Sequence, residues 1–247
     1  MSKPPFLLPA DPKAPFPDPR QALRQPDGLL AVGGDLAPER LLNAYRHGIF
    51  PWYSDGQPIL WWSPDPRTVF RTEGVHLSSR FRRGLRRSNW VIRADTAFDK
   101  VVTACAHAPR AGQPGTWITD DMRAAYMALH RLGHAHAVEV FDGERLVGGL
   151  YGVAIGRMFF GESMYSAASG GSKVALAGLA HHLHQSGWPL LDAQVQNDHL
   201  LGLGAECWPR ERFLDEVDTL TALPGVVGSW QATFGELPAS RLAYPNG

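Results

Sequence analysis

Two short apolar runs constrain this chain more than anything else in it. They are Met158-Phe159-Phe160-Gly161-Glu162-Ser163-Met164-Tyr165-Ser166 and Leu190-Leu191-Asp192-Ala193-Gln194-Val195. Both are bounded by breakers and read as strands. Between them, Ser172 to Ser186 carries Val174, Leu176, Ala177, Leu179, Ala180 and Leu183 at helical spacing. The unit is strand, helix, strand, with the second strand returning beside the first. Alternation along a strand puts Asp192 and Gln194 on one face and turns Ala193 the other way. Glu162 follows Gly161, and a glycine inside a strand marks a place where a ligand or another backbone comes close. Two readings are open: either Glu162 and Asp192 cap or pair with basic groups at strand ends, or Glu162, Asp192 and Gln194 converge on one cleft.

With 247 residues and 44% hydrophobic content the chain is long enough to bury a core as one large domain or two small ones. Lys plus Arg equals Asp plus Glu at 24 each, so net charge says nothing about nucleic acid, and only local distribution can. Cys105 and Cys207 stand in no metal or redox spacing, which points to free thiols in a reducing compartment. The proline-broken start is too short in its apolar core for a signal peptide. No run approaches the roughly 20 apolar residues that span a bilayer. The expectation is a cytoplasmic protein.

Residues up to about Pro26 are proline-dense and predicted extended, pinned by Phe6, Phe16 and Leu23. In Gly28 to Leu36 the pair Gly33-Gly34 reads as a turn. Pro38 opens a short helix with Leu41, Leu42 and Tyr45 as its packing face, ended by Gly48. Trp52, Trp61 and Trp62 then crowd a proline-rich region. Most of these rings are expected to fill core, and one or two to line a site, since Trp also stacks on nucleobases.

A second domain is expected from about Thr68. It soon presents Arg80, Arg82, Arg83, Arg86 and Arg87, with no acid between Glu73 and Asp95. Such a run is either a solvated face or a phosphate-binding patch, and the bidentate guanidinium suits phosphate. Helices are predicted at Ala97 to Ala106 and, capped by Thr119 or Asp120, through Met122, Tyr126, Leu129 and Leu132. Asp142-Gly143-Glu144 turns a hairpin between Ala137 to Phe141 and Arg145 to Ile155. His130, His134, His136, His181, His182 and His184 lack a Cys or acidic partner at ligand spacing, so no metal is expected. Beyond Gln194, Asn197-Asp198-His199 opens a short helix and Pro209 to Val217 forms another. The tail after about Ala222 reads as loop and peripheral helix. Antiparallel strands followed by a strand-helix-strand unit make the fold class α+β.

With these residues in place the chain closely resembles the leucyl/phenylalanyl-tRNA protein transferase family. The stretches GLLAVGGDL, GIFPW, ILWWSPDPR, GTWIT, LGHAHAVEV, LVGGLYGVAIG, FGESMYS, LLDAQ and NDHL-LGLGA stand in family order from Gly28 to about Val217. The resemblance implies a small N-terminal domain with its proline-rich arm (1–66), followed by a catalytic domain of the Gcn5-type N-acetyltransferase fold with a C-terminal tail (67–247). It implies transfer of Leu, Phe or, less well, Met from aminoacyl-tRNA to the α-amino group of proteins that begin with Arg or Lys, marking them for degradation. No cofactor or metal is implied, and a monomer is expected. By the same resemblance Glu162, Asp192 and Gln194 are catalytic or acceptor-binding. Trp52 and Trp117 lie by the aminoacyl-adenosine end, and Met164, Phe159 and Leu191 form the aminoacyl pocket. The arginine patch meets tRNA. Tyr165 and Ala193 stand where the family pattern has Phe and Cys, and neither change removes a charged group.

An aminoacyl-tRNA is already an activated ester, so the work left to a protein is to bring an amine to it in line. Gln194 is assigned to orient that amine through its carbonyl, Asp192 to polarise it and attract the acceptor's cation, and Glu162 to hold the aminoacyl or acceptor group. An acyl-CoA N-acetyltransferase on the same fold is the rival enzyme, but Ser166 to Ser172 lacks the R-x-x-G-x-G/A pattern that holds pyrophosphate. A non-catalytic RNA-binding module would leave Glu162, Asp192 and Gln194 without a task. A serine hydrolase fails because Gly161-Glu162-Ser163-Met164-Tyr165 is not G-x-S-x-G.

Overall fold

The computed structural model describes residues 4–108 and 118–244. Chain order is β1 (Phe6–Leu8), β2 (Leu29–Gly33), α1 (Pro38–Arg46), β3 (Phe50–Pro51), β4 (Leu60–Trp62), β5 (Arg67–Arg71), α2 (Ser79–Leu85), β6 (Val91–Ala94), α3 (Phe98–His107) and α4 (Asp120–Arg131). It continues with β7 (Ala135–Asp142), β8 (Arg145–Ile155), β9 (Met158–Ser166), α5 (Gly171–Gln185), β10 (Leu190–Gln194), α6 (Asp198–Gly202), β11 (Glu206–Trp208), α7 (Arg210–Thr221), α8 (Gln231–Phe234) and β12 (Leu237–Pro238). The fold is mixed α+β, built on a four-stranded sheet β1-β2-β4-β3 and an eight-stranded sheet β11-β5-β10-β9-β8-β7-β6-β12.

In the large sheet β6, β7, β8 and β9 form an antiparallel meander. Helix α5 then carries the chain across, and β10 returns parallel to β9. Alternation decides which face each side chain serves. Phe160, Leu190, Val69 and Val153 join a core with α1, α3, α4, α7 and the small sheet. Their neighbours Phe159, Leu191, Phe70 and Ala154 join a second core under α5. That helix is buried on most of its circumference, including Val174, Leu176, Leu179 and Leu183, so its apolar residues are not confined to one stripe. Its first turn sits so close to β8 that a Cβ on Gly148 would lie 2.4 Å from the Gly171 carbonyl carbon.

Local signals placed α1, α3 to α7 and β7 to β10. Thr119 Oγ1 accepts from Met122 N at 3.2 Å and opens α4, and Gly133 at φ 80° stops it. Leu132, placed above within that helix, is its C-cap and 53% exposed. The β7–β8 loop consists of Gly143 and Glu144, because Asp142 already pairs with Arg145. Leu29 to Gly33 is a strand, with the expected turn only at its end. The N-terminal arm contributes β1, which pairs in parallel with β2, and Phe16, whose ring stands edge-on to Trp61 at 4.9 Å.

The C-terminal tail is not peripheral. Trp230 is buried in the second core, stacked on His136 at 3.9 Å and 5.8 Å from Phe159. Its backbone N–H donates to Asp95 Oδ2 at 2.8 Å, and β12 extends the sheet beside β6. The sequence misleads here because Pro224, Gly225, Gly228 and Gly235 interrupt the tail, and its anchoring residues Trp230, Ala239 and Ala243 show no periodic pattern. Trp230→Ala is expected to lower unfolding free energy by about 3–5 kcal/mol, the usual cost of emptying a large aromatic site. Urea denaturation measures it, and a loss below about 1 kcal/mol would return the tail to the periphery.

Candidate active site

Strands β9 and β10 pair in parallel only from Met158↔Leu190 to Phe160↔Asp192. Beyond that level they part, and each carries an irregularity at the parting point. On β9, Gly161 faces Gly152 and Ser163 faces Tyr151, so Glu162 is the extra residue. On β10, Asp192 faces Val69 and Gln194 faces Thr68, so Ala193 is extra. Bulges of this kind bend a strand and re-aim its side chains. Gln194 reaches its position through this bulge, in the left-handed region at φ 61°, and simple alternation along the strand does not describe it. Its strained backbone is held by a hydrogen bond from its own N–H to Asp192 Oδ1 at 2.9 Å.

The gap between the strands is a cavity of about 360 Å³. Phe70, Leu150, Phe159, Met164, Leu176, Leu179 and Leu191 make it apolar, Phe50 and Trp52 close it from the small sheet, and Glu162, Asp192 and Gln194 supply polar groups. The expected pocket residues Met164, Phe159 and Leu191 are therefore together. Trp52 is half-buried at the rim, with its carbonyl accepting from Trp62 Nε1 at 2.7 Å. Trp117 lies outside the described residues.

Glu162 is enclosed by groups from three elements. Tyr45 Oη of α1 donates to Oε1 at 2.6 Å, Tyr126 Oη of α4 shares a hydrogen bond with Oε2 at 2.6 Å, and Gln194 Nε2 of β10 donates to Oε1 at 2.7 Å. Burial pushes this carboxyl up to about 7 against those hydrogen bonds, and the nearby charge of Asp192 acts in the same direction as burial. Burial, followed by the charge of Glu162, raises both tyrosines well above the phenol range. In the sequence Tyr45 stands on the packing face of its helix, and Tyr126 within the helix opened by Thr119 or Asp120. The signal for more was there: a tyrosine on an apolar helix face brings a hydroxyl that needs a partner once buried.

Asp192 is fully buried and bound on both oxygens by Arg67, with Nε to Oδ1 at 2.8 Å and Nη2 to Oδ2 at 2.6 Å. Arg67 also donates to the Gly48 carbonyl at 3.0 Å and lies between Phe50 and Phe213. Both readings left open above hold for Asp192, which pairs with a basic group and lines the same cavity as Glu162 and Gln194. Its charge is matched inside the protein by Arg67. The same carboxylate accepts the backbone N–H of Gln194. Arg67 had no assigned role in the sequence analysis, because its partner lies 125 residues away. Arg67→Met alone strands a buried carboxylate and is expected to cost about 3–5 kcal/mol. Arg67→Met with Asp192→Asn should cost less than the sum of the single changes by more than about 1 kcal/mol in a urea double-mutant cycle. Additive losses would show that the two do not act as a pair.

The arginine run lies elsewhere. Arg80, Arg82 and Arg83 are on α2, and Arg86 and Arg87 follow it. All but the half-buried Arg82 are exposed, and none of the five is ion-paired among the described residues. Helix α2 packs by Phe81 against Gly170 at the start of α5, where an added Cβ would meet the ring at 2.4 Å. None of these arginines lines the cavity.

Comparison with known proteins gives the family. The family model described as leucyl/phenylalanyl-tRNA protein transferase matches residues 69–218, and the model of that family's N-terminal domain matches residues 34–65. A leucyl/phenylalanyl-tRNA–protein transferase of Xanthomonas axonopodis pv. citri is 70% identical over 238 residues, covering 96% of both chains. One of Xylella fastidiosa is 61% identical over 242 residues, covering 98% of this chain and all of its own. Among solved structures, L-PGS from Bacillus licheniformis overlaps 70% of this chain and 57% of its own at 12% identity and a TM-score of 0.37, a likeness on which nothing here rests. Two family matches in order along the chain, and identity of this extent over nearly its whole length, make the protein an aminoacyltransferase that belongs to the leucyl/phenylalanyl-tRNA protein transferase family.

Proposed function

We propose that this chain transfers leucine or phenylalanine, and less well methionine, from its tRNA to the α-amino group of proteins beginning with Arg or Lys, tagging them for degradation. One observation carries the reading: an apolar cavity of about 360 Å³ is closed on one side by Gln194, whose amide nitrogen is held by Glu162. With that nitrogen engaged, the side-chain carbonyl is the end left to accept a hydrogen bond from an incoming amine. The apolar walls suit a large aliphatic or aromatic side chain. Such walls separate neighbours that differ by a methylene by only about 1–3 kcal/mol, which accommodates several donors.

The reaction needs little acid–base help. An α-amino group ionises at about 7.7–8.0, so an appreciable fraction is neutral near pH 7. The amine nitrogen attacks the ester carbonyl, the bond to the ribose oxygen breaks, and the amine's proton ends on that oxygen. Holding the two partners in line lowers such a barrier by roughly 7–11 kcal/mol in favourable cases. Glu162 and Gln194 contribute position, Asp192 and Arg67 hold Gln194 in place, and Trp52, Trp117, Met164, Phe159 and Leu191 house the aminoacyl end. The preference for basic acceptors rests on the family resemblance.

In this reading residues 67–247 form a Gcn5-type N-acetyltransferase domain and 1–66 a smaller one. Support comes from the antiparallel meander β6 to β9, the crossover α5, a parallel β10 that parts from β9, and the change of sheet between Trp62 and Arg67. The protein works as a cytoplasmic monomer. No helix among the described residues is long and apolar enough to cross a membrane.

Labelled Leu-tRNA with an Arg-initiated peptide tests the activity. Gln194→Ala should lower kcat by about 100-fold, within the range of a lost positioned group, while Leu-tRNA binding is nearly kept. Wild-type protein without transfer in this assay would overturn the proposal. The unpaired arginines of α2 are assigned to the tRNA backbone. Arg82→Ala with Arg83→Ala should flatten the log–log salt dependence of tRNA binding by roughly 0.7–0.9 per lost contact, and an unchanged slope would remove the patch from the interface.

A further inference from the structure

Three oxygen–oxygen contacts close a triangle around Glu162. Tyr45 Oη lies 2.6 Å from Glu162 Oε1, Tyr126 Oη lies 2.6 Å from Glu162 Oε2, and the two phenol oxygens lie 2.6 Å from each other. Oxygens this close need a proton between them. Each tyrosine brings one. An ionised Glu162 brings none, which leaves two protons for three contacts and sets two lone pairs face to face in a site with no room for water between them.

A third proton removes the conflict. Placed on Glu162 Oε2, it is donated to Tyr126 Oη, Tyr126 then donates to Tyr45 Oη, and Tyr45 donates to Glu162 Oε1. The ring is closed, and Oε1 keeps a lone pair for Gln194 Nε2, which reaches it at 2.7 Å. We propose that Glu162, Tyr45 and Tyr126 share three protons in a closed ring up to near-neutral pH, so that Glu162 serves the transfer as an uncharged acid and the two tyrosines are its positioning residues.

The groups around the ring agree. Tyr45 comes from α1, Tyr126 from α4, Tyr151 from β8 and Asp192 from β10. Asp192 disfavours a second negative charge, and Arg67 is spent on Asp192 by two hydrogen bonds. Burial pushes the Glu162 carboxyl up to about 7. The role in catalysis rests on the transfer reaction proposed above. Attack by the amine develops negative charge on the ester carbonyl oxygen, and a carboxylate in the same apolar cavity would oppose it, whereas a neutral acid does not.

The protonation half is read on the free wild-type protein by infrared spectroscopy across pH. A protonated-acid carbonyl band is expected at pH 6, absent in Glu162→Gln, fading as pH rises through about 7. In Tyr45→Phe it should move to higher frequency, because the carbonyl oxygen loses a donor. No such band at pH 6 would overturn the proposal. The catalytic half is read as the ratio of wild-type to Glu162→Gln kcat, in which titration of the acceptor amine cancels. That ratio should fall roughly tenfold from pH 6 to about one unit above the Glu162 pKa, because each such unit leaves about ten times less acid. A flat ratio would overturn the catalytic role. The band needs neither tRNA nor acceptor, so a failed transfer assay leaves it standing and the two proposals fail separately.

Discussion

A carboxylate buried as deeply as Asp192 is untenable without a matched charge, since removing an ion from water costs several kcal/mol even after the protein relaxes. Arg67 supplies the match in bidentate geometry, and the site is built around that pair. Because Arg67 is on β5 and Asp192 on β10, the pair ties two strands where β10 stops pairing with β9. The same carboxylate accepts the backbone N–H of Gln194, so the left-handed bulge that aims Gln194 into the cavity depends on a charge already satisfied elsewhere. A third donor of Arg67 reaches the Gly48 carbonyl, which joins the region after α1 to the large sheet.

The small sheet and its helix belong to the site as much as the large sheet does. Tyr45 brings a hydroxyl to Glu162 from α1, and Phe50 and Trp52 close the cavity beside it. The first hydrophobic core runs without interruption from Leu30 and Trp61 through Tyr126 and Phe160 to Phe213. Packing of that density resists small displacements, which suits a reaction whose rate depends on the placement of two reactants. The polar groups at the site carry little uncompensated charge, and the walls are apolar. An activated ester and a neutral amine are partners that such a site can bring together without adding strong electrostatic contrast of its own.

Much of this was legible in the chain. The strand–helix–strand unit and the glycine in its first strand follow from periodicity and breakers, because alternation and helical spacing are local properties. Thr119 as cap and Gly133 as stop follow for the same reason. The ordered family blocks identified the reaction class before any side chain was placed. The arginine run was legible as unpaired, since no acid stood near it in sequence.

Other parts depend on residues far apart in the chain. That Asp192 is neutralised by Arg67 and Glu162 is enclosed by Tyr45 and Tyr126 could not be read from spacing, because the partners lie 125, 117 and 36 residues away. An arginine beside a proline-rich turn or a tyrosine on an apolar face looks the same whether or not its polar end finds a buried carboxylate. The bulges at Glu162 and Ala193 arise from how neighbouring strands align, and Trp230 finds its place only when the tail folds back over the second core. The sequence by itself determined which elements form, which faces are apolar and which family the chain resembles, since short-range sterics and hydrophobic pattern decide those. Tertiary structure alone decided which charges cancel and which hydroxyls meet, because burial and the distances between remote side chains exist only once the chain is packed.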